Sequence, residues 1–200
     1  LDLGKLVAFM SGQARPVWDF EDIGNNWSRA DVSPIVPIVA VPTTAGTGSE
    51  VSRAGVVLNS ESHVKKIIFH PSMMPVAVIC DPMLMIDLPP PIFAGAGMDA
   101  FAHCLEAYSA PSFHPMSKGI ALEGMRLVAK YLPRAYKNCG DIEARTQMMV
   151  AASMGAVAFQ GGLGAIHAIS HPIGALFNTH HGTTNAVLIP NVLNMNRIAI

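Results

Sequence analysis

Four histidines, His167, His171, His180 and His181, crowd into "GAIHAISHPIGALFNTHHGTTNAVLIP" (164–190), and from Thr146 to Asn196 the chain has no Asp, Glu, Lys or Arg. On a helix, residues four apart share a face. His167 and His171 have that spacing, and so do Asp99 and His103 in "GAGMDAFAHCLEAY" (95–108). Two helices that each present two such groups can build a metal site. Imidazole nitrogen suits Fe, Zn, Ni or Cu, and a carboxylate adds a hard anionic oxygen. An open coordination position would then take a substrate oxygen. A single HxxxH pair is more often a core or surface feature than a ligand pair. The second pair shifts that balance, because a buried imidazole in an uncharged segment needs a polar partner. The spacing is not that of a zinc peptidase: position 168 is Ala, so no HExxH glutamate is present.

The elements that must carry these groups change character near residue 89. Before it, short β-branched runs bounded by turn residues read as strands: "PIVAV" (37–41), "GVVLN" (55–59), "KIIF" (66–69) and "VAVICD" (76–81). Residues 12–30 are polar and irregular and read as a long loop. After "LPPP" (88–91), helical spacing takes over at roughly 92–109, 115–131, 142–159, 164–177 and 183–194. The second of these helices is expected to stop at Pro133. The expected architecture is an α/β part, 1–88, followed by an all-helical part, 89–200, with a ligand cleft between them.

Composition bounds the rest. Half of the 200 residues are hydrophobic, 14% are charged and the net charge is −1. That supports a sizeable core and offers no electrostatic footing for nucleic acid or an anionic membrane. Three separated cysteines without a CxxC favour reduced thiols and a cytoplasmic setting. No stretch reads as a membrane span, because glycines, Pro172, Asn178 and the histidines interrupt segment 146–196. The opening "LDLGKLVAFM" reads as a helix already under way and "NMNRIAI" lacks a helix stop signal, so a piece of a longer protein is expected. "VPTTAGTGSEVS" (41–52) follows a strand and is rich in Thr, Gly and Ser, which suits close approach to phosphate or ribose. It has neither GxGxxG nor the P-loop lysine pattern, and ordinary loop chemistry accounts for it at least as well.

Taken together, "PTTAGTGSE", "DPML…LPP", "GMDAFAHCLEAY" and "HAISHPIGALFNTHHGTTNAVLIP" resemble the iron-containing (group III) alcohol dehydrogenases along essentially the whole chain. The resemblance implies a dehydroquinate synthase-like fold, α/β plus all-α. Its partial N-terminal dinucleotide-binding domain precedes a helical metal-binding domain. It implies Fe2+, with Zn2+ as the alternative, held by Asp99, His103, His167 and His181. It places NAD or NADP at Thr43, Thr44, Thr47, Ser49 and Lys65, or at Lys66 if the register slips by one. His171 becomes a non-ligand beside the substrate, with the proton leaving through it or through water, and His180 a spectator. The implied activity is hydride transfer between a primary or secondary alcohol and NAD(P), with the metal polarising the oxygen. The implied partners are a small alcohol or aldehyde and further copies of the chain. The family's glycine-rich pyrophosphate loop precedes "DLGK" (2–5) and so lies outside this sequence. Rival readings are a metal-binding scaffold or inactive fragment, and a metal-dependent lyase of the dehydroquinate synthase type. The lyase needs Lys and Arg around its metal, and segment 146–196 supplies neither.

Overall fold

The computed structural model describes residues 1–198. It falls into two compact units, one made of 1–42 with 49–80 and the other of 43–48 with 81–200. The loss of strand signals puts the change near residue 89. The helical unit in fact begins earlier, at Asp81, and takes in the distant segment Thr43–Gly48.

In the first unit, helix α1 (Asp2–Met10) turns Leu6 and Phe9 inward. They pack with Phe20, Ile68 and Met73, and the Phe9 and Phe20 rings meet edge to face at 5.1 Å. Strand β1 (Val39–Ala40) pairs in parallel with β4 (Ala77–Val78). These strands are much shorter than the apolar runs that announced them, since only two residue pairs are in register and Val76, Val78 and Ile79 are exposed. Strands β2 (Ala54–Asn59) and β3 (Val64–Phe69) form an antiparallel hairpin with Asn59 opposite Val64. The Asn59 side chain accepts from the amides of Glu61 and Ser62 at 3.0 Å each and so shapes the turn. His63 completes it with φ of 52°, in the left-handed region. The stretch read as a loop, 12–30, contains two short 3₁₀ turns, Val17–Phe20 and Asn26–Arg29.

Lys5 is the polar anchor of this unit. Only 1% of it is exposed, and its ammonium donates to the carbonyls of Ser49, Ser52 and Ala54 at 2.8, 2.9 and 2.6 Å. Burial lowers its pKa, and the nearby Asp2 and Glu50 oppose that shift. Asp2 completes the clasp by accepting from the Ser49 hydroxyl and, at 2.9 Å, from the Val56 amide.

The second unit is built from α2 (Pro90–Ser109), α3 (Pro115–Lys137), α4 (Ile142–Ala158), α5 (Ala165–Phe177) and α6 (His181–Asn196). Prolines in the first turns of α2 and α3 suit positions whose N–H groups have no helical partner. His114 caps α3 by accepting from the Ser117 amide at 3.1 Å, and Asp141 caps α4 by accepting from Ala144 at 2.9 Å. Asn178, at φ 51°, ends α5. Contrary to the sequence reading, α3 runs through Pro133 to Lys137. A mid-helix proline loses one hydrogen bond and crowds the carbonyl four residues back. Burial of Tyr131, Leu132 and Ala135 on the same turns holds the helix together.

Small residues let these helices approach closely. A Cβ on Gly97 would lie 2.5 Å from Leu132, and one on Gly124 would lie 2.5 Å from the Cys104 sulfur. Arg145 is fully buried, with its guanidinium over the Phe93 ring at 4.6 Å and donating to the Cys139 carbonyl at 2.6 Å and to the Met85 carbonyl. Among the described residues, no single helix is long and apolar enough to cross a membrane; Ile142–Gly161 and Ala165–Phe177 pass that test only as a pair, bent by 110°.

Lys5→Met keeps much of the apolar stem and deletes all three donated hydrogen bonds. Buried acceptors left unpaired cost about 1–3 kcal/mol each, less where water reaches them. The variant is expected to lower the unfolding free energy of the first unit by roughly 3 kcal/mol. Urea titration followed by fluorescence checks this directly, because Trp18 and Trp27 both lie in that unit.

Candidate metal centre

Three helices of the second unit bring their polar groups to one point. Helix α2 supplies Asp99 and, one turn on, His103; α5 supplies His167 in its first turn; α6 begins at His181. Asp99 Oδ1 lies 3.9 Å from His103 Nε2, 3.5 Å from His167 Nε2 and 3.4 Å from His181 Nε2. One ligand atom from each of Asp99, His103 and His167 falls within 4.8 Å of the others. The His103 and His167 rings stack at 4.6 Å with planes 11° apart, and His181 lies 5.3 Å from His167. Asp99, His103 and His167 are each 4% exposed, while His181 stands at the open side.

The contact of α6 with α2 depends on two glycines. A Cβ on Gly182 would overlap the Gly95 carbonyl oxygen and sit 3.1 Å from Asp99 Cβ. A Cβ on Gly95 would strike the His180 ring at 2.5 Å. His180, expected to be a spectator, therefore has a structural role. It caps α6, its Nδ1 accepting from the Thr183 amide at 3.3 Å, and it packs on α2. His171 sits at the rim, its ring 6.0 Å from His167 and 5.2 Å from His181.

Electrostatics ties the cluster together. Burial would raise the Asp99 pKa, but His103, His167 and His181 outweigh it and hold the carboxyl well below its usual range. Burial lowers His103 and outweighs its attraction to Asp99, leaving that ring neutral. Burial works against a charged His167 as well, yet hydrogen bonds to Asp99 and Glu106 lift its pKa to about 9. The two rings differ because His167 lies between two carboxylates.

Sequence reasoning missed two participants. Glu106 accepts from His167 Nδ1 at 2.5 Å, and it lies on the Asp99 face of α2, seven residues on. Asn185, fully buried, donates through Nδ2 to Asp99 Oδ1 at 2.7 Å and lies 3.3 Å from Nε2 of both His167 and His181. Its spacing of four from His181 was visible in the sequence. Among the described residues, Asn185 Oδ1 and His103 Nδ1 find no hydrogen-bond partner although both are buried.

This donor set fits a divalent cation. Acceptor atoms from a carboxylate and three imidazoles face one point with no lysine or arginine among them, a mixture matched to Fe, Zn and similar metals. The positions expected to bind a nucleotide are placed differently. Thr43, Thr44 and Thr47 lie on the segment that docks into the helical unit through Ala45 and Gly46; Thr43 and Thr47 are exposed and Thr44 is exposed beside them. Ser49 is buried in the other unit with its hydroxyl given to Asp2. Lys65 is half-buried in β3 opposite Leu58, and Lys66 pairs with Glu21 at 2.6 Å.

A small α/β unit joined to a helical unit that carries an Asp/His cluster defines a class of two-part metalloproteins. The sequence comparisons narrow that class. Residues 1–82 match the family model described as iron-containing alcohol dehydrogenase, and residues 93–199 match the model of that family's C-terminal region. The chain belongs to the iron-containing alcohol dehydrogenase family. It is 40% identical to a 4-hydroxybutyrate dehydrogenase of Cupriavidus necator, covering 98% of this chain and 52% of that one. It is 37% identical to an NAD-dependent methanol dehydrogenase of Bacillus methanolicus, covering 99% and 51%. The chain thus spans about half the length of the curated relatives it matches. A crystal structure of a 1,3-propanediol oxidoreductase superposes with a TM-score of 0.90 at 37% identity, covering 99% of this chain and 51% of that one.

Gly182→Ala tests the helix contact that assembles the cluster. The new Cβ meets backbone, which cannot swing aside, so α6 must move and His181 must leave Asp99. The expected cost is on the order of 3 kcal/mol, within the range for overpacking a close contact. Chemical denaturation followed by circular dichroism reads it, and Gly119→Ala, at a position inside α3 with nothing within 4 Å, serves as the control for helix propensity, with stability expected to rise by about 0.5–1 kcal/mol.

Proposed function

We propose that Asp99, His103, His167 and His181 hold one divalent metal, Fe2+ by preference with Zn2+ as substitute. We propose further that the intact protein transfers hydride between a small alcohol and its carbonyl product with NAD or NADP as the other partner. The single observation that carries the reading is the convergence of one carboxylate oxygen and three imidazole nitrogens in a region free of basic residues. The names of the relatives, alcohol, methanol and 4-hydroxybutyrate dehydrogenases, support the reaction class. When bound, the metal supplies a Lewis acid that polarises the substrate oxygen, and the nicotinamide supplies the hydride acceptor.

The chain's own groups have distinct roles in this reading. Asp99 provides the negative charge and orders the imidazoles around it. His103, kept neutral by burial, presents a lone pair rather than a proton. His171, at the rim beside His167 and His181, carries the substrate proton to solvent; imidazole is suited to that near neutral pH. Thr43, Thr44 and Thr47 offer hydroxyls to the nucleotide, and Lys65 offers a cation. Ser49 acts on the fold of its turn, because Asp2 already holds its hydroxyl.

Metal analysis of the wild type beside Asp99→Ala, His167→Ala and His171→Ala tests the assignment. The expected result is about one metal per chain in the wild type and in His171→Ala, and its loss in the other two. His171→Ala is also expected to reduce alcohol-dependent NAD(P)H formation by about a hundredfold, the usual scale for losing a proton-transfer group. Metal loss in His171→Ala would make that residue a ligand instead.

The pH dependence of metal uptake has a definite sign. His167 holds a proton up to about pH 9 in the metal-free protein, and coordination requires its lone pair. Zn2+ uptake near neutral pH is therefore expected to expel about one proton from this ring, with affinity rising roughly tenfold per pH unit and levelling off above the His167 pKa. Calorimetric titration in two buffers of different ionisation enthalpy measures the proton count.

A further inference from the structure

We propose that Glu106 is a positioning residue that fixes which nitrogen of His167 faces the metal seat, and that it does so by closing the N-terminus of α5. The proposal rests on the metal reading above and goes beyond it. Helix α5 has Gly164 at its N-cap, a residue with no side chain with which to cap the first turn. Four amides at a helix start lack helical partners and normally need local acceptors. Here the acceptor comes from another helix. Glu106 Oε1 accepts from the Ile166 amide at 2.7 Å, and its negative charge stands at the positive end of α5. The other oxygen, Oε2, is bound to His167 Nδ1 at 2.5 Å.

One buried carboxylate therefore spans the first turn of α5 and the ring that projects from it. Glycine at 164 is part of the fit, because a Cβ there would lie 2.9 Å from Glu106 Oε1. A carboxylate can only accept, so Nδ1 of His167 must carry hydrogen. Once the ring gives up its second proton, as coordination requires, the lone pair is therefore on Nε2, the nitrogen that lies 3.5 Å from Asp99 Oδ1. Carboxylates that orient a ligating imidazole in this way commonly change metal affinity by about 10- to 100-fold.

A purely capping role and a positioning role diverge in Glu106→Gln. The amide oxygen still accepts from Ile166, so the cap persists. The amide NH2 then faces His167 Nδ1 and donates to it, which moves the ring hydrogen to Nε2 and blocks the metal-facing lone pair. The experiment titrates Zn2+ alone into metal-free wild type and Glu106→Gln, with thermal unfolding of both metal-free forms alongside. The expected result is Zn2+ affinity lower by about 10- to 100-fold in the variant with little change in its unfolding midpoint. Equal affinities would overturn the role of Glu106 while leaving the metal reading intact; a wild type that binds no Zn2+ would overturn both. Should the variant fail to fold, long-range 1H–15N correlation on the Zn2+-loaded wild type decides alone. Hydrogen on His167 Nδ1 with the metal on Nε2 supports the proposal, and the reverse arrangement overturns it.

Discussion

Asp99 is a carboxylate almost entirely withdrawn from water, and the helical unit is arranged around that fact. A buried charge without partners is too unfavourable to persist. Its Oδ1 atom is accordingly met by His103, His167 and His181 at 3.4–3.9 Å and by the Asn185 amide at 2.7 Å. Three different helices must converge to supply those partners. Each constraint on α2, α5 and α6 follows from the need to reach one oxygen atom.

Close helix packing is how the fold meets that need. The Gly95–Gly182 contact brings the start of α6 against α2 at backbone distance, which long side chains would prevent. Gly97, Gly124 and Gly155 do the same for α3 and α4 around α2. A Cβ on Gly155 would press on His103 Cβ at 3.1 Å, so packing between α2 and α4 also bears on a site residue. The segment Thr43–Gly48 joins through Gly46, where a Cβ would stand 2.8 Å from the Ala96 carbonyl. These glycines and the alanines of the core are less a weak helix composition than the condition for the site's geometry.

Much of this was legible in the sequence, and the omissions have physical reasons. Spacing of four on a helix and an uncharged background are one-dimensional signals, and they singled out Asp99 with His103 and His167 with His171; that His181 joins the cluster while His171 stays at its rim came only from the resemblance of the motifs to a known family. Glu106 and Asn185 repeat the same helical spacing from Asp99 and His181, but their role is to hydrogen-bond other side chains, which spacing cannot reveal. Pro133 failed as a stop signal because burial of its neighbours outweighs one lost hydrogen bond. Docking of 43–48 with the helices rather than with its neighbouring strand was equally hidden, since it depends on Ala45 reaching a core built from residues far along the chain. The resemblance put Ser49 among the cofactor contacts, and the bond from its hydroxyl to Asp2, 47 residues away in the chain, was beyond what local sequence could show.

Charge balance links the two carboxylates. In the metal-free state Asp99 and Glu106 are both held ionised while His167, between them, keeps a proton. Those three groups together then carry one net negative charge in a nearly dry setting. In the proposed metal site, exchanging the His167 proton for a divalent cation would bring these three groups to neutrality. Asp99 alone could not achieve that balance. Glu106 is thus a counter-charge to His167 as well as an acceptor, and its position seven residues along α2 from Asp99 puts both carboxylates of the cluster on one helix face.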